Sequence, residues 1–286
     1  YVEGLPMMKK SLLAGVSLLL ACAPAALMAE EGMWLPSQTG SLAADLKAAG
    51  LELDPATLGD LNSPPLTAIA SLGGCSAAFL SPQGLVATNH HCVAGSLQYN
   101  SSPENDYLTN GFLAATLGDE LPAAPGSRVY VIEDLRNVTA QMLKGAERLD
   151  GRARYDLLQA NRTRLIAECE AQANRRCDVR PYFGGNQYWL QQQLEIKDVR
   201  LVYAPAAGVG NFGGETDNWM WPRHTGDFSF YRAYVGPDGS SATYAAENVP
   251  FKPKAWLKIA ENGVKDGDFI MVAGFPGTTD RHRTAE

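Results

Sequence analysis

Two short apolar runs, each with a cysteine at one end, constrain this chain more than any other feature in it. The first is Gly73-Gly74-Cys75-Ser76-Ala77-Ala78-Phe79-Leu80 and the second is Gly84-Leu85-Val86-Ala87-Thr88-Asn89-His90-His91-Cys92. Ser81-Pro82-Gln83-Gly84 stands between them, and it is a tight-turn sequence because proline presets the backbone of a turn and glycine relaxes its exit. Apolar runs joined this way form a hairpin. The two cysteines, 17 positions apart, then come together at the open end of the hairpin, with a histidine held at its rim.

Whether those cysteines bridge depends on the compartment. Met7-Met8-Lys9-Lys10 gives a positive start, and Ser11 to Ala23 is mostly Leu, Ala and Val, which together form an export signal over residues 1–29 cut near Ala29-Glu30. Leu27 is an imperfect residue three places before that cut. Tyr1 to Pro6 precede the starting methionine as upstream read-through. Leu19-Leu20-Ala21-Cys22 is a partial lipoprotein signal and offers a second processing route. The apolar stretch is too short for a stable membrane span. With Cys22 removed, four cysteines remain and allow three pairings. Cys75–Cys92 and Cys169–Cys177 each close a short loop, which suits an oxidising compartment. A zinc site is the weaker alternative: no spacing is C-x-x-C, and the histidines form no second ligand pair. No metal or cofactor is expected.

From Glu30 onward the chain is large enough to bury a substantial core, since 45% of its 286 residues are hydrophobic. A net charge of −7 argues against nucleic-acid binding, which needs a basic face. Leu42, Leu46 and Ala49 fall at helical spacing in a lead-in that Asn62-Ser63-Pro64-Pro65 breaks. The pattern from Leu66 to about Leu97 is β. Further strands are expected at Arg128–Leu135, Tyr182–Leu190, Val199–Tyr203, Phe228–Val235 and Phe269–Ala273, with a linker at Pro250–Trp256 and a turn at Gly274–Gly277. Residues 139–177 differ: Met142, Leu143, Tyr155, Leu158, Leu165 and Ile166 recur near helical period, so one or two helices interrupt the strands. The expected architecture is mainly β, a barrel with a helical insertion.

A histidine at the rim of such a hairpin is how a chymotrypsin-like serine peptidase presents its general base. That chemistry needs a base for the hydroxyl proton and a carboxylate that fixes the tautomer of the base. His91 is the candidate base, with His90 its immediate rival. Asp227 is the candidate carboxylate because it opens the apolar run Phe228 to Val235, and Asp217 is its competitor. Upstream lies Asp217-Asn218-Trp219-Met220-Trp221-Pro222-Arg223-His224, where polar groups interleaved with aromatics suggest a substrate-binding wall. Asn218 can accept a hydrogen bond from a cationic amine, and Trp219 can cover it. His224 is expected to be structural.

These blocks, Gly-Gly-Cys-Ser-Ala-Ala-Phe with Thr-Asn-His-His-Cys, Asp-Asn-Trp-Met-Trp-Pro-Arg-His-Thr-Gly-Asp-Phe-Ser, and Gly274-Phe275-Pro276-Gly277, resemble the S46 family of bacterial dipeptidyl peptidases from about Glu31 to the end. The resemblance implies an exopeptidase that removes dipeptides from free N-termini in the periplasm or at the cell surface of a Gram-negative bacterium. It implies a chymotrypsin-like double β-barrel carrying a large helical domain, and a homodimer. It puts the base on His91, the carboxylate on Asp227, and the grip on the substrate's α-amino group on Asn218 and Trp219. The family's nucleophile sits in a Gly-x-Ser-Gly-type turn. Ser76, Ser96, Ser127 and Ser240 lie near glycines but not in that context. The resemblance therefore implies that residues 30–286 are the N-terminal part of a longer catalytic domain, with an incomplete second barrel and no peptidase activity alone. Two other readings remain: an HtrA-like periplasmic endoprotease, suggested by Ser81 to Asn89 followed by histidine, and a secreted binding module without a nucleophile.

Overall fold

The computed structural model describes residues 34–172, 174–218 and 220–277, and the unit beginning at Pro36 carries every element discussed below. The export signal and Cys22 lie outside the described residues. Eleven strands form one antiparallel sheet among them. They are β1 (Ile69–Ser71), β2 (Ser76–Phe79), β3 (Leu85–Thr88), β4 (Phe112–Leu113), β5 (Leu121–Pro122), β6 (Val129–Asn137), β7 (Arg175–Tyr182), β8 (Gln187–Ile196), β9 (Asp198–Ala204), β10 (Ser229–Val235) and β11 (Val249–Pro250). The helices are α1 (Ala43–Ala48), α2 (Ala94–Asn100), α3 (Tyr107–Asn110), α4 (Thr139–Leu143), α5 (Gly151–Glu170), α6 (Ala207–Gly210) and α7 (Gly214–Asn218).

The expected hairpin is β2–β3, with Phe79 opposite Val86 and Ala78 opposite Ala87. Its turn needs Gly84: the residue has φ +68°, and a Cβ there would lie 2.8 Å from the carbonyl oxygens of both Ala233 and Phe251. β2 pairs with β1, β1 with β6, β6 with β8, β3 with β10, and β10 with β9. Lys197 alone separates β8 from β9, so the two ends of this path are neighbours along the chain. Alternate residues share one face, and Ala70, Phe79, Val86, Val129, Ile196, Leu201, Tyr231 and Ala233 belong to one buried cluster.

Beyond the β1 pairing, β6 and β8 run on as a two-stranded ribbon that β7 widens. The helical insertion is α4 and α5. Leu165 and Cys169, one helical turn apart, seat α5 on Val179 and Leu190 of the ribbon, forming a second buried cluster with Val138 and Met142. The exposed face of α5 carries Arg152–Asp156 and Arg164–Glu168 pairs at i,i+4. Cys169 is bonded to Cys177.

Four expectations are corrected. The strand expected at Tyr182–Leu190 is split, because Phe183, Gly184 and Gly185 all take positive φ and form the turn between β7 and β8. The β stretch from Leu66 gives way to α2 at Ala94. Pro250–Trp256 is packed rather than a linker: Phe251 N–H donates to the Ala233 carbonyl, its ring lies 5.5 Å from Phe79, and Ala255 is buried. Phe269–Ala273 forms no strand; Val272 is fully open, with no neighbouring strand to pair it among the described residues.

Candidate active site

β3 and β10 run antiparallel with Thr88 opposite Ser229. Two residues beyond Thr88 and two before Ser229, the register sets the Asn89–His91 turn against Asp227. The turn is closed by Cys92 N–H to the Asn89 carbonyl at 3.2 Å and Val93 N–H to the His90 carbonyl at 3.0 Å, which leads into α2. The Thr88 hydroxyl donates to the Ser76 carbonyl at 2.9 Å, and the Cys75–Cys92 disulfide closes the hairpin end.

Three donors converge on the Asp227 carboxylate. The His91 backbone N–H donates to Oδ1 at 3.1 Å, His91 Nδ1 lies 2.8 Å from Oδ2, and the Asn89 amide donates to Oδ2 at 3.2 Å. Asn89 also donates to the Asp227 carbonyl at 3.2 Å. Burial alone would raise the Asp227 pKa, but the His91 backbone N–H, its ring and its charge outweigh that and hold the group below the ordinary carboxylate value. An ionised carboxylate at Nδ1 keeps the proton on Nδ1, which leaves Nε2 with its lone pair free. The His91 side chain is 67% exposed, so that lone pair can meet a substrate or a nucleophile from solvent. This is the geometry of a general base with its orienting carboxylate.

The pair is made by His91 and Asp227, and neither the His90 ring nor Asp217 takes part in it. His90 turns inward and is 5% exposed; burial lowers its pKa against smaller opposing pulls from Asp227 and the Pro205 carbonyl. Asp217 lies in α7, folded over Gly213. A ring nitrogen of His91 and the sulfurs of Cys75 and Cys92 lie within 4.8 Å of one another, but the sulfurs are joined in the disulfide and offer no thiolate to a metal. Ser96 is buried against the Tyr231 hydroxyl at 2.6 Å, Ser240 bonds Asp238, and the Ser76 hydroxyl accepts from Phe275 N–H at 2.7 Å. None of the three is bonded to His91 among the described residues.

Asn218 ends α7; Trp219 and the Asn218 side chain lie outside the described residues. His224 packs edge-on against Phe212 at 6.3 Å. Two features were not anticipated. Asn89 braces the carboxylate, for which an asparagine directly after a strand and two before a histidine was the available signal. Phe228, half exposed, stacks at 5.9 Å on Tyr203 and makes an apolar flank beside Asp227.

The model of the family Peptidase S46 matches residues 29–286. The chain belongs to the S46 peptidase family. It is 48% identical over 254 residues to the Asp/Glu-specific dipeptidyl-peptidase of Shewanella putrefaciens, covering 89% of this chain and 35% of that protein. It is 39% identical over 282 residues to dipeptidyl-peptidase 7 of Porphyromonas gingivalis, covering 96% of this chain and 39% of that one. The crystal structure of Porphyromonas endodontalis DPP11 in complex with substrate superposes with a TM-score of 0.76 at 37% identity, over 84% of this chain and 36% of that chain. The chain spans just over a third of the length of these S46 relatives.

Proposed function

We propose that this chain supplies the base and its carboxylate to a serine-type dipeptidyl peptidase that cuts after the second residue of peptides with a free N-terminus. The observation that carries the reading is the His91–Asp227 pair: a solvent-facing imidazole held at Nδ1 by an ionised, three-fold hydrogen-bonded carboxylate. In this reaction His91 Nε2 takes the proton from a serine hydroxyl as the hydroxyl oxygen attacks the scissile carbonyl carbon. The imidazolium, stabilised by Asp227, then gives that proton to the departing amine. Water repeats the sequence on the acyl-enzyme and releases the dipeptide. The nucleophilic serine lies in a further part of the protein, in the second barrel of a chymotrypsin-like pair to whose first barrel we assign β1, β2, β3, β6, β8, β9 and β10. Asn218 and Trp219 receive the substrate's ammonium, the charge that separates a free N-terminus from an internal peptide bond. The whole enzyme is exported to the periplasm or cell surface and works as a homodimer. Dipeptides ending in Asp or Glu are the substrate class we take forward, on the strength of the 48% identity to a relative bearing that name.

The test uses the whole protein that carries this chain. A fluorophosphonate should label it, and it should release arylamine from free dipeptidyl arylamides with Asp or Glu second, but not from their N-acetylated forms. Cleavage of an unfolded protein at internal sites, indifferent to acetylation, would favour the endoprotease. Neither labelling nor release would favour a binding module.

A further inference from the structure

The base and its carboxylate lean on the same short helix. On one side, Gly226, directly before Asp227, donates its N–H to the Val209 carbonyl of α6 at 2.9 Å, and a Cβ at Gly226 would lie 2.8 Å from the Val209 side chain. On the other, the ring of His90, directly before His91, lies flat against Gly210, the last residue of α6. A Cβ at Gly210 would fall 2.6 Å from His90 Nδ1 and closer still to Cγ and Cδ2. The contact therefore admits no side chain at position 210. The His90 side chain is 95% enclosed, and its Nε2 has no hydrogen-bond partner among the described residues.

From α6 the chain runs directly into the segment assigned to the substrate amine. Asn211 N–H donates to the Ala207 carbonyl at 2.8 Å, Gly214 N–H to the Asn211 carbonyl at 3.1 Å, and Asp217 N–H to the Gly213 carbonyl at 3.3 Å. Thr225 returns with its hydroxyl on the Phe212 carbonyl at 2.8 Å. Movement of α6 is thus movement of the Asn211–Asn218 segment. The His91–Asp227 pair has its own supports in the β3–β10 ladder, the disulfide, Asn89 and the backbone N–H of His90, none of which depends on the His90 side chain.

We propose that His90 is a positioning residue whose buried ring, wedged against Gly210, sets the distance between the His91–Asp227 pair and the Asn211–Asn218 segment, and so fixes dipeptide register. The proposal rests on the dipeptidyl-peptidase reading above. An exopeptidase needs such a spacer, because the separation of amine site from base decides how many residues fit between them.

The experiment is a size-complementation cycle in the whole protein: Gly210→Ala, His90→Ala and the double variant. Two readouts are taken: kcat and KM on a free dipeptidyl arylamide, and the second-order rate of inactivation by a small fluorophosphonate, which needs the base but no amine site. Forcing a methyl into the packed contact should lower kcat/KM of Gly210→Ala about 30-fold, chiefly through KM, with inactivation changed less than about threefold. Removing the ring in the double variant should recover about tenfold of that loss. If Gly210→Ala does not fold, His90→Ala alone should show the same split between readouts. Parallel loss of arylamide turnover and inactivation, or a Gly210→Ala enzyme with unchanged KM, overturns the proposal. Wild-type protein that releases no dipeptide sinks the functional reading itself, a result visible before any variant is made.

Discussion

Replacing Asp227 by asparagine tests the site most directly, because the structure dictates which way the new amide must face. The His91 backbone N–H points at Oδ1 from 3.1 Å and requires an acceptor there. In Asp227→Asn the amide oxygen takes that place, and the NH2 group is driven to the Oδ2 position, 2.8 Å from His91 Nδ1. A donor at Nδ1 forces the imidazole proton onto Nε2, which is the atom that must accept from the serine. Asn89, which donates to Oδ2 at 3.2 Å, meets a second donor and loses its partner. The wrong tautomer costs about 10⁴ in kcat in enzymes that use this pair, roughly 5.5 kcal/mol of transition-state stabilisation at 1.36 kcal/mol per decade. KM should move little, since Asp227 touches no part of the bound amine. Stability should fall by about 2 kcal/mol for the charge-assisted bonds removed. The assay is steady-state hydrolysis of a free dipeptidyl arylamide by the whole protein, with ¹⁵N shifts of the His91 ring reporting the tautomer. An Asp227→Asn enzyme within tenfold of wild type, or a ring that keeps its proton on Nδ1, would refute the reasoning.

The other expectations concern the frame around the site. Cys75→Ala with Cys92→Ala removes a bridge of 17-residue separation and should cost about 3 kcal/mol in denaturant unfolding; a change below about 1 kcal/mol would mean the hairpin holds itself. Asp198 is buried on β9, where it accepts from Arg200 Nη2 at 2.8 Å and Asn248 at 2.9 Å. Asp198→Ala removes the carboxylate from that guanidinium, leaving it the Ala245 carbonyl and the Tyr234 and Tyr244 rings, and should cost about 3 kcal/mol by thermal or urea unfolding; a mild variant would show the pair to be dispensable. His90 sits buried with its folded pKa below the ordinary 6.5, so its neutral form is the folded one. The stability it supports is complete above pH 6.5 and is lost as the pH falls below that value, and His90→Phe should flatten the stability profile there. A wild-type profile with no His90-dependent slope below pH 6.5 would contradict the burial argument.

Local chemistry made the site legible. A turn sequence between two apolar runs fixes a hairpin, a hairpin fixes which cysteines meet, and an aspartate just before a strand that pairs with that hairpin has few places to go. Local pattern alone left His90 beside His91 as a rival, and the resemblance named His91; adjacent residues at the end of a strand alternate faces, and the register with β10 places the His91 ring towards solvent. The edge strand β7 was missed for a different reason. Arg175-Arg176-Cys177-Asp178-Val179-Arg180-Pro181-Tyr182 has almost no apolar content, and it stands because β8 offers it a full ladder and Cys177 is bonded to α5. Pro181 is tolerated there because an edge strand has one free side. Pro250–Trp256 was mistaken for a linker because its anchor is Phe251 against Phe79, a contact between residues 172 apart that no local pattern signals.

The placement of these pieces explains why a peptidase would divide its machinery in this way. Base and carboxylate come from strands hydrogen-bonded to each other, so their 2.8 Å contact is set by backbone register and survives movement elsewhere. The segment proposed for the amine follows four residues of helix that meet Gly226 through a hydrogen bond and His90 through its ring, and it is tied further by the Thr225 hydroxyl on the Phe212 carbonyl. Chemistry that must tolerate no misplacement is built into the sheet, and recognition, which must admit many peptides, is built onto a mount that small residues can adjust. On the proposed function, a change at Gly210 or His90 should retune which peptides are cut without disturbing how the proton moves, whereas a change at Thr88 or Ser229 should disturb both.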